Sequence, residues 1–187
     1  MNFTPLNLEG AYLISLDKKG DDRGFFARYY CEEEFRKHNL KTDWIQMNNS
    51  FSKHKGTLRG LHFQYPPHSE AKLIRCFRGA IWDVMVDIRK GSKTYGQWYG
   101  VELSAENRNM VYIPEGFAHG FISLTDDSEI LYMVSSAYAF ESEGTLRWND
   151  PFHKIEWPIE PSIISEKDQK AKDWEDVAAV ELKQVSK

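Results

Sequence analysis

Between residues 57 and 134 the chain is written as short apolar runs broken at close intervals by turn residues, the punctuation of strands and not of helices. Residues 58–64, 71–77, 81–89, 97–103, 109–113, 118–124 and 129–134 each read as a strand, and that spacing predicts an all-β sandwich or barrel. Within Trp82-Asp83-Val84-Met85-Val86-Asp87-Ile88 the period is two, with apolar residues on one face and Asp83 and Asp87 on the other. One face is expected in the core; the other is expected to be wet or functional.

The flanks are less regular. Residues 11–16, 25–30 and 44–51 read as extended, residues 17–24 as a charged turn, and residues 31–38 as a short helix with its acids early and its bases late, as the helix dipole prefers. After Asp150-Pro151 the strand pattern loosens, and residues 165–185 read as helical, with Trp174, Val177, Val180 and Leu182 as a partial apolar face. The 187 residues suit one domain. Its core is expected over about 57–160, with N-terminal strands in 1–56 and a helical tail over 165–187.

A net charge of −4 supplies no field that would draw the chain to nucleic acid or to an anionic membrane. No basic, apolar leader opens the sequence, and no window approaches the roughly 18 apolar residues of a spanning helix. Cys31 and Cys76 are far apart and outside any paired motif, which argues against a disulfide framework or zinc knuckle and for a cytosolic protein.

Chemistry concentrates in one stretch. Arg59-Gly60-Leu61-His62-Phe63-Gln64 is followed by a Pro66-Pro67 turn and then by Glu70 and Lys72, which gathers a base, an acid and two cations. Further on, Pro114-Glu115-Gly116-Phe117-Ala118-His119 resembles the second motif of the cupin superfamily, whose fold is a double-stranded β-helix or jelly roll. Metal-binding cupins also carry a His-x-His pair in the first motif; here it reads His62-Phe63-Gln64. An amide is a poor transition-metal ligand beside imidazole, so these motifs do not assemble a three-histidine site, and no metal is expected.

With its surroundings the resemblance narrows to the dTDP-4-dehydrorhamnose 3,5-epimerase family. The matching text includes Asp22-Arg23-Gly24-Phe25-Phe26, the Arg59 to Gln64 hexapeptide, Lys72-Leu73, Asp83-Val84-Met85-Val86-Asp87-Ile88-Arg89, residues 113–121, Leu131-Tyr132, Arg147-Trp148-Asn149-Asp150-Pro151 and Ser165-Glu166-Lys167-Asp168. These pieces stand in register over nearly the whole chain.

The resemblance implies a cofactor-free epimerase of a nucleotide-activated 4-keto-6-deoxyhexose, folded as a cupin-type jelly roll with short flanking helices, one at the C-terminus. Inverting a carbon beside a ketone requires removing its proton and returning one from the opposite face, with the ketone itself as electron sink. By the family pattern His62 is the base, Asp168 pairs with its far ring nitrogen, Tyr132 is the donor across the ring with Tyr138 as fallback, and Lys72 stabilises the enolate oxygen. His119 would help hold the substrate. Arg23, Gln46, Asn48, Arg59, Glu143 and Lys167 match nucleotide-diphosphate positions, and a homodimer with exchanged N-terminal strands completes each site.

Two residues depart from the family text: Arg28 stands where an acid is usual, and so does Met47. An acid accepts the imide N–H of thymine whereas arginine only donates, so a CDP- or GDP-linked sugar, epimerised at C3 or C5 alone, is the alternative. Related readings are a sugar ketoisomerase and, outside enzymes, a sugar-binding cupin.

Overall fold

The structure is a computed structural model that describes residues 1–182. Its elements in chain order are β1 (Asn2–Pro5), β2 (Tyr12–Ser15), β3 (Lys19–Asp21), β4 (Gly24–Phe26), α1 (Glu32–Lys37), β5 (Gln46–Ser52), β6 (Thr57–Gln64), β7 (Lys72–Arg78), β8 (Ala80–Asp87), β9 (Trp98–Ser104), β10 (Met110–Ile113), β11 (Phe117–Ser123), β12 (Ser128–Val134), β13 (Glu143–Thr145), β14 (Ile163–Ile164) and α2 (Glu166–Gln169). Every strand expected between residues 57 and 134 is present. One sheet runs β1-β2-β10-β7-β12-β5 and the other β13-β6-β11-β8-β9, with β14 added in parallel beside β6; β3 and β4 form a separate hairpin. The two sheets make the jelly roll.

Three apolar layers hold it. Ile74, Cys76 and Val111 of the first sheet meet Met85, Phe117 and Phe121 of the second in the space between them. Phe35 of α1 and Leu40 cover the outer face of the first sheet at Ile14, Leu73 and Tyr112. On the outer face of the second sheet, Val84, Val86 and Ile88 pack under Leu146, Ile155, Val177 and Val180 from the C-terminal segment. Burial of a side chain of this size contributes about 1.5–3 kcal/mol, so each layer is a substantial share of the folding energy.

The second face of β8 is not wet. Asp83 and Asp87 are fully buried, because the other sheet closes over one side of the strand and the C-terminal segment over the other. Asp87 is held by Arg89, Ser92 and Thr94, whose hydrogen bonds keep its carboxyl below the usual range although burial acts in the opposite direction. Its work is structural. Asp83 is bonded to His119, whose place is described below.

The helix expected over 165–185 contracts to the single turn of α2 and a 3₁₀ turn at Trp174–Asp176; residues 183–185 of that expectation lie outside the described residues. The apolar spacing of Trp174, Val177 and Val180 is satisfied by an irregular segment strapped to its neighbours. Arg147 N–H donates to the Lys172 carbonyl at 2.8 Å, Val180 N–H to the Ile88 carbonyl at 2.8 Å, and Trp174 N–H to Asp150 Oδ2 at 2.7 Å. Asp150, itself buried, also accepts from Phe152 N–H and His153 N–H and ties the segment to the corner after β13.

Candidate active site

Residues three apart on a regular strand face opposite sides, yet Arg59 and His62 both line one cavity. A bulge reconciles them: His119 pairs with His62 and Phe121 with Arg59, so β6 spends one more residue than β11 over the same length. Two glycines permit it. Gly60 has φ of +118°, and a Cβ there would meet Gly120 Cα at 2.5 Å, so β6 and β11 approach where only glycine fits.

The cavity, about 460 Å³, lies between the sheets. His62 stands on one sheet; Lys72 of β7 and Tyr132 of β12 stand on the other, and all three line the same space. His62 Nε2 is 2.6 Å from Asp168 Oδ1. Asp168 is buried and also accepts from Gly60 N–H at 3.3 Å, while Ser165 caps α2 by accepting from Asp168 N–H at 3.1 Å. Burial pushes the Asp168 carboxyl up, but the hydrogen bond and charge of His62, with the Gly60 and Ser165 bonds, hold it below the ordinary range. An ionised Asp168 accepts a hydrogen bond from Nε2–H of His62, and the other ring nitrogen, Nδ1, is left as the acceptor.

Burial pushes the Tyr132 phenol up, the charge of Glu70 adds to this, and Arg59 opposes it. The phenol therefore stays protonated through neutral pH, as a donor must. Lys72 is almost covered, its ammonium 3.0 Å from Glu70 Oε1. His119 faces His62 across the ladder and is itself fixed by Asp83 Oδ2 at 2.8 Å. Arg59 donates to the Phe51 carbonyl at 3.1 Å, and Lys167 is ion-paired with Glu143 across the mouth.

An adjoining hollow of about 280 Å³ shares His62, Lys72 and Tyr132 and adds Gln46, Asn48, Tyr138 and Glu143. Of the residues expected from sequence, His62, Lys72, Tyr132, Asp168, Arg59, His119, Lys167, Gln46, Asn48 and Glu143 are thus brought together. Arg23, Arg28 and Met47 are not. Arg23 lies on the β3–β4 hairpin against Asp21, Arg28 is paired with Glu34, and Met47 is on the outer face of β5, 60% exposed.

Glu70, which the sequence shows as the acid of this stretch without giving it a role, stands two before Lys72, so that both lie on one side of an extended chain. Gln64, the amide in the metal motif, spends its side chain on backbone: Nε2 donates to the His68 and Ala137 carbonyls at 2.8 and 3.1 Å, and Oε1 accepts from Ala139 N–H at 2.6 Å. It faces no metal-ligand cluster among the described residues.

A base held by a carboxylate on one wall, with a protonated phenol and an ammonium on the opposite wall, defines a site for moving protons beside a carbonyl. Residues 5–176 match the family model for dTDP-4-dehydrorhamnose 3,5-epimerase. A dTDP-4-dehydrorhamnose 3,5-epimerase of Sinorhizobium fredii is 45% identical over 169 residues, covering 90% of this chain and 87% of that one. The crystal structure of the enzyme from Elizabethkingia anophelis superimposes with a TM-score of 0.91 at 41% identity, covering 94% and 97% of the two chains. That of a dTDP-6-deoxy-D-glucose-3,5-epimerase from Legionella pneumophila, in complex with dTDP-4-keto-L-rhamnose, gives a TM-score of 0.88 at 37% identity over 95% of each. The chain belongs to the dTDP-4-dehydrorhamnose 3,5-epimerase family, and it is an isomerase.

Proposed function

We propose that the enzyme epimerises a dTDP-linked 4-keto-6-deoxyhexose beside its C4 ketone, with His62 as base and Tyr132 as acid. The observation that carries this is the placement of the two groups on opposing sheets of one cavity. Nδ1 of His62 takes the ring proton, the C–H electron pair moves into the C4 carbonyl, and the resulting enolate oxygen lies against the Lys72 ammonium. The enolate then collapses as Tyr132 O–H delivers its proton to the other face. The products are the inverted carbon, an imidazolium and a phenolate, and exchange with solvent resets both. Asp168 steadies the imidazolium without leaving its carboxylate state.

Arg59 and Lys167 supply the cations for the diphosphate, arginine through a planar fork suited to phosphate oxygens. The ligand reported with the Legionella relative supports thymine as the base. Arg28 and Met47, the residues that suggested another nucleotide, stand outside this chain's cavity. Titration with dTDP, CDP and GDP decides the matter; dTDP is expected to bind tightest, and preference for another would revise the substrate.

A second copy of the chain is the natural source for what the cavity lacks. The β3–β4 hairpin presents Arg23 beside exposed Phe25 and Phe26, and the outer face of the first sheet leaves Met47, Phe51 and Phe77 uncovered. A homodimer that exchanges these N-terminal strands covers the apolar side chains and brings Arg23 and Arg28 to the neighbour's substrate. Light scattering giving the mass of one chain would remove that part of the proposal. Two unpaired cysteines accord with a cytosolic setting.

The chemistry is tested by incubating the 4-keto sugar nucleotide in heavy water and following deuterium by NMR. Label is expected at inverted carbons next to the ketone. In Tyr132→Phe, label without inversion is expected, since His62 still removes the proton and only the opposite-face donor is lost. No label with the wild-type enzyme would sink the reading.

A further inference from the structure

Lys72 reaches the cavity from the first residue of β7, and its side chain and that of Glu70 are only 10% and 14% exposed. Among the described residues Glu70 is the only carboxylate recorded within ion-pair distance of that ammonium. A cation withdrawn from water needs a counter-charge, or it loses more in solvation than it returns to a developing oxyanion. The counter-charge must also leave donors free. An ammonium has three N–H groups, and one carboxylate oxygen at 3.0 Å leaves two for a substrate oxygen.

Glu70 is held in place on both sides. It rides on the turn between β6 and β7, and the Gln64 amide laces that turn to the chain beyond β12 through His68, Ala137 and Ala139. Its neighbours are fastened too: Ser69 Oγ donates to the Gln64 carbonyl at 3.2 Å, and Ala71 N–H donates to Ser135 Oγ at 2.9 Å. The carboxylate also lines the hollow that contains Tyr132, and its field acts on that phenol. Such fastening is more than a surface ion pair requires.

We infer that Glu70 is a positioning residue for epimerisation: it fixes the Lys72 ammonium for the ketone oxygen and sets the field at Tyr132, without itself exchanging a proton with the sugar. The inference rests on the function proposed above. It deepens that reading by assigning the buried carboxylate beside the cation a part in the reaction.

The test is steady-state kinetics of the full-length Glu70→Gln and Glu70→Asp variants on the dTDP-linked 4-keto sugar, with dTDP affinity measured by calorimetry. Glu70→Gln keeps the size and removes the charge, so kcat is expected to fall by about 30-fold, less than the roughly 10²–10³ of losing an oxyanion donor outright because Lys72 itself remains, while KM and dTDP affinity stay within about twofold. Glu70→Asp keeps the charge but draws it back by one methylene, and is expected to recover part of that loss. If the amide variant does not fold, the aspartate variant carries the test, with a kcat about fivefold below wild type at unchanged melting temperature.

Unchanged kcat in a folded variant, or a loss confined to KM, overturns the inference. Failure of the wild-type enzyme to label or invert the sugar would instead sink the proposed function, so the two failures are told apart.

Discussion

The cavity pair His62–Asp168 and the corner pair His153–Asp150 are built from the same side chains at similar distances, 2.6 and 3.0 Å. The His62 side chain is 36% exposed and bonds through Nε2, leaving Nδ1 to the cavity; that of His153 is fully covered and bonds through Nδ1, with Nε2 sealed in the protein. The carboxylates differ as well. Asp168 serves the imidazole and one strand amide, whereas Asp150 divides itself among three backbone N–H groups and the ring. Burial pushes the His153 imidazole down, against the pull of Asp150, and keeps it neutral. A histidine bonded to a buried aspartate is therefore not in itself a catalytic sign. The second ring nitrogen must open on a space that a substrate can enter.

The sharpest way to break this contrast is to remove each imidazole. His62→Ala is expected to lower the deuterium-exchange rate by more than about 10³-fold, the combined loss of a base and its positioning, while His153→Ala loses stability and keeps the exchange rate of its folded fraction. Equal loss of exchange in the two variants would erase the distinction. Next come the carboxylates: Asp168→Asn should reduce kcat by about 10²-fold through the wrong tautomer, whereas Asp150→Asn should reduce stability by about 2 kcal/mol in urea melts with kcat spared.

His119 tests the middle ground, since it lines the cavity yet its side chain is only 9% exposed, its Nε2 bonded to Asp83. His119→Asn is expected to lower kcat/KM by about tenfold, the scale of one substrate hydrogen bond. A loss as large as that of His62→Ala would make it a second base.

The smallest effect is in pH. Because the folded pKa of His153 lies below its ordinary value, the unfolded chain takes up the proton first as pH falls. Stability is therefore complete above about pH 6.5 and declines below it, by at most about 1.4 kcal/mol per unit until the folded pKa is passed. Asp168 has the opposite partner state but the same sense, its contribution being lost only as pH falls through its depressed value, below the ordinary carboxylate range. Urea melts at pH 7.5, 6.5 and 5.5 should show the decline in wild type and a flatter profile in His153→Gln.

Much of this molecule can be read from the sequence because a strand announces itself by local alternation. The strands from β6 to β12 emerge from apolar runs and the turn residues between them, and the gathering of His62, Lys72, Tyr132 and Asp168 at one cavity from the family text. The faces of β8 were ambiguous, since a period of two says which residues share a side but not that both sides are covered. The bulge at Gly60 was invisible for a related reason: the extra residue shows only when β11 is laid beside β6. The C-terminal segment misled because Trp174, Val177 and Val180 repeat at helical spacing, and the bonds that hold the segment irregular come from Asp150, Ile88 and Arg147, distant in sequence. Gln64 and Glu70 were in view as residues, but their work depends on partners in the turn and beyond β12.

Asp168 lies 106 residues beyond the imidazole it serves, and that separation orders events during translation. In order of synthesis the residues of both sheets, the ammonium and the phenol all precede the carboxylate that holds His62. The imidazole consequently stays without its orienting carboxylate until α2 is in place, and a protease nicking between β14 and α2 would both slow the reaction and loosen the cover that Val177 and Val180 lay over the second sheet.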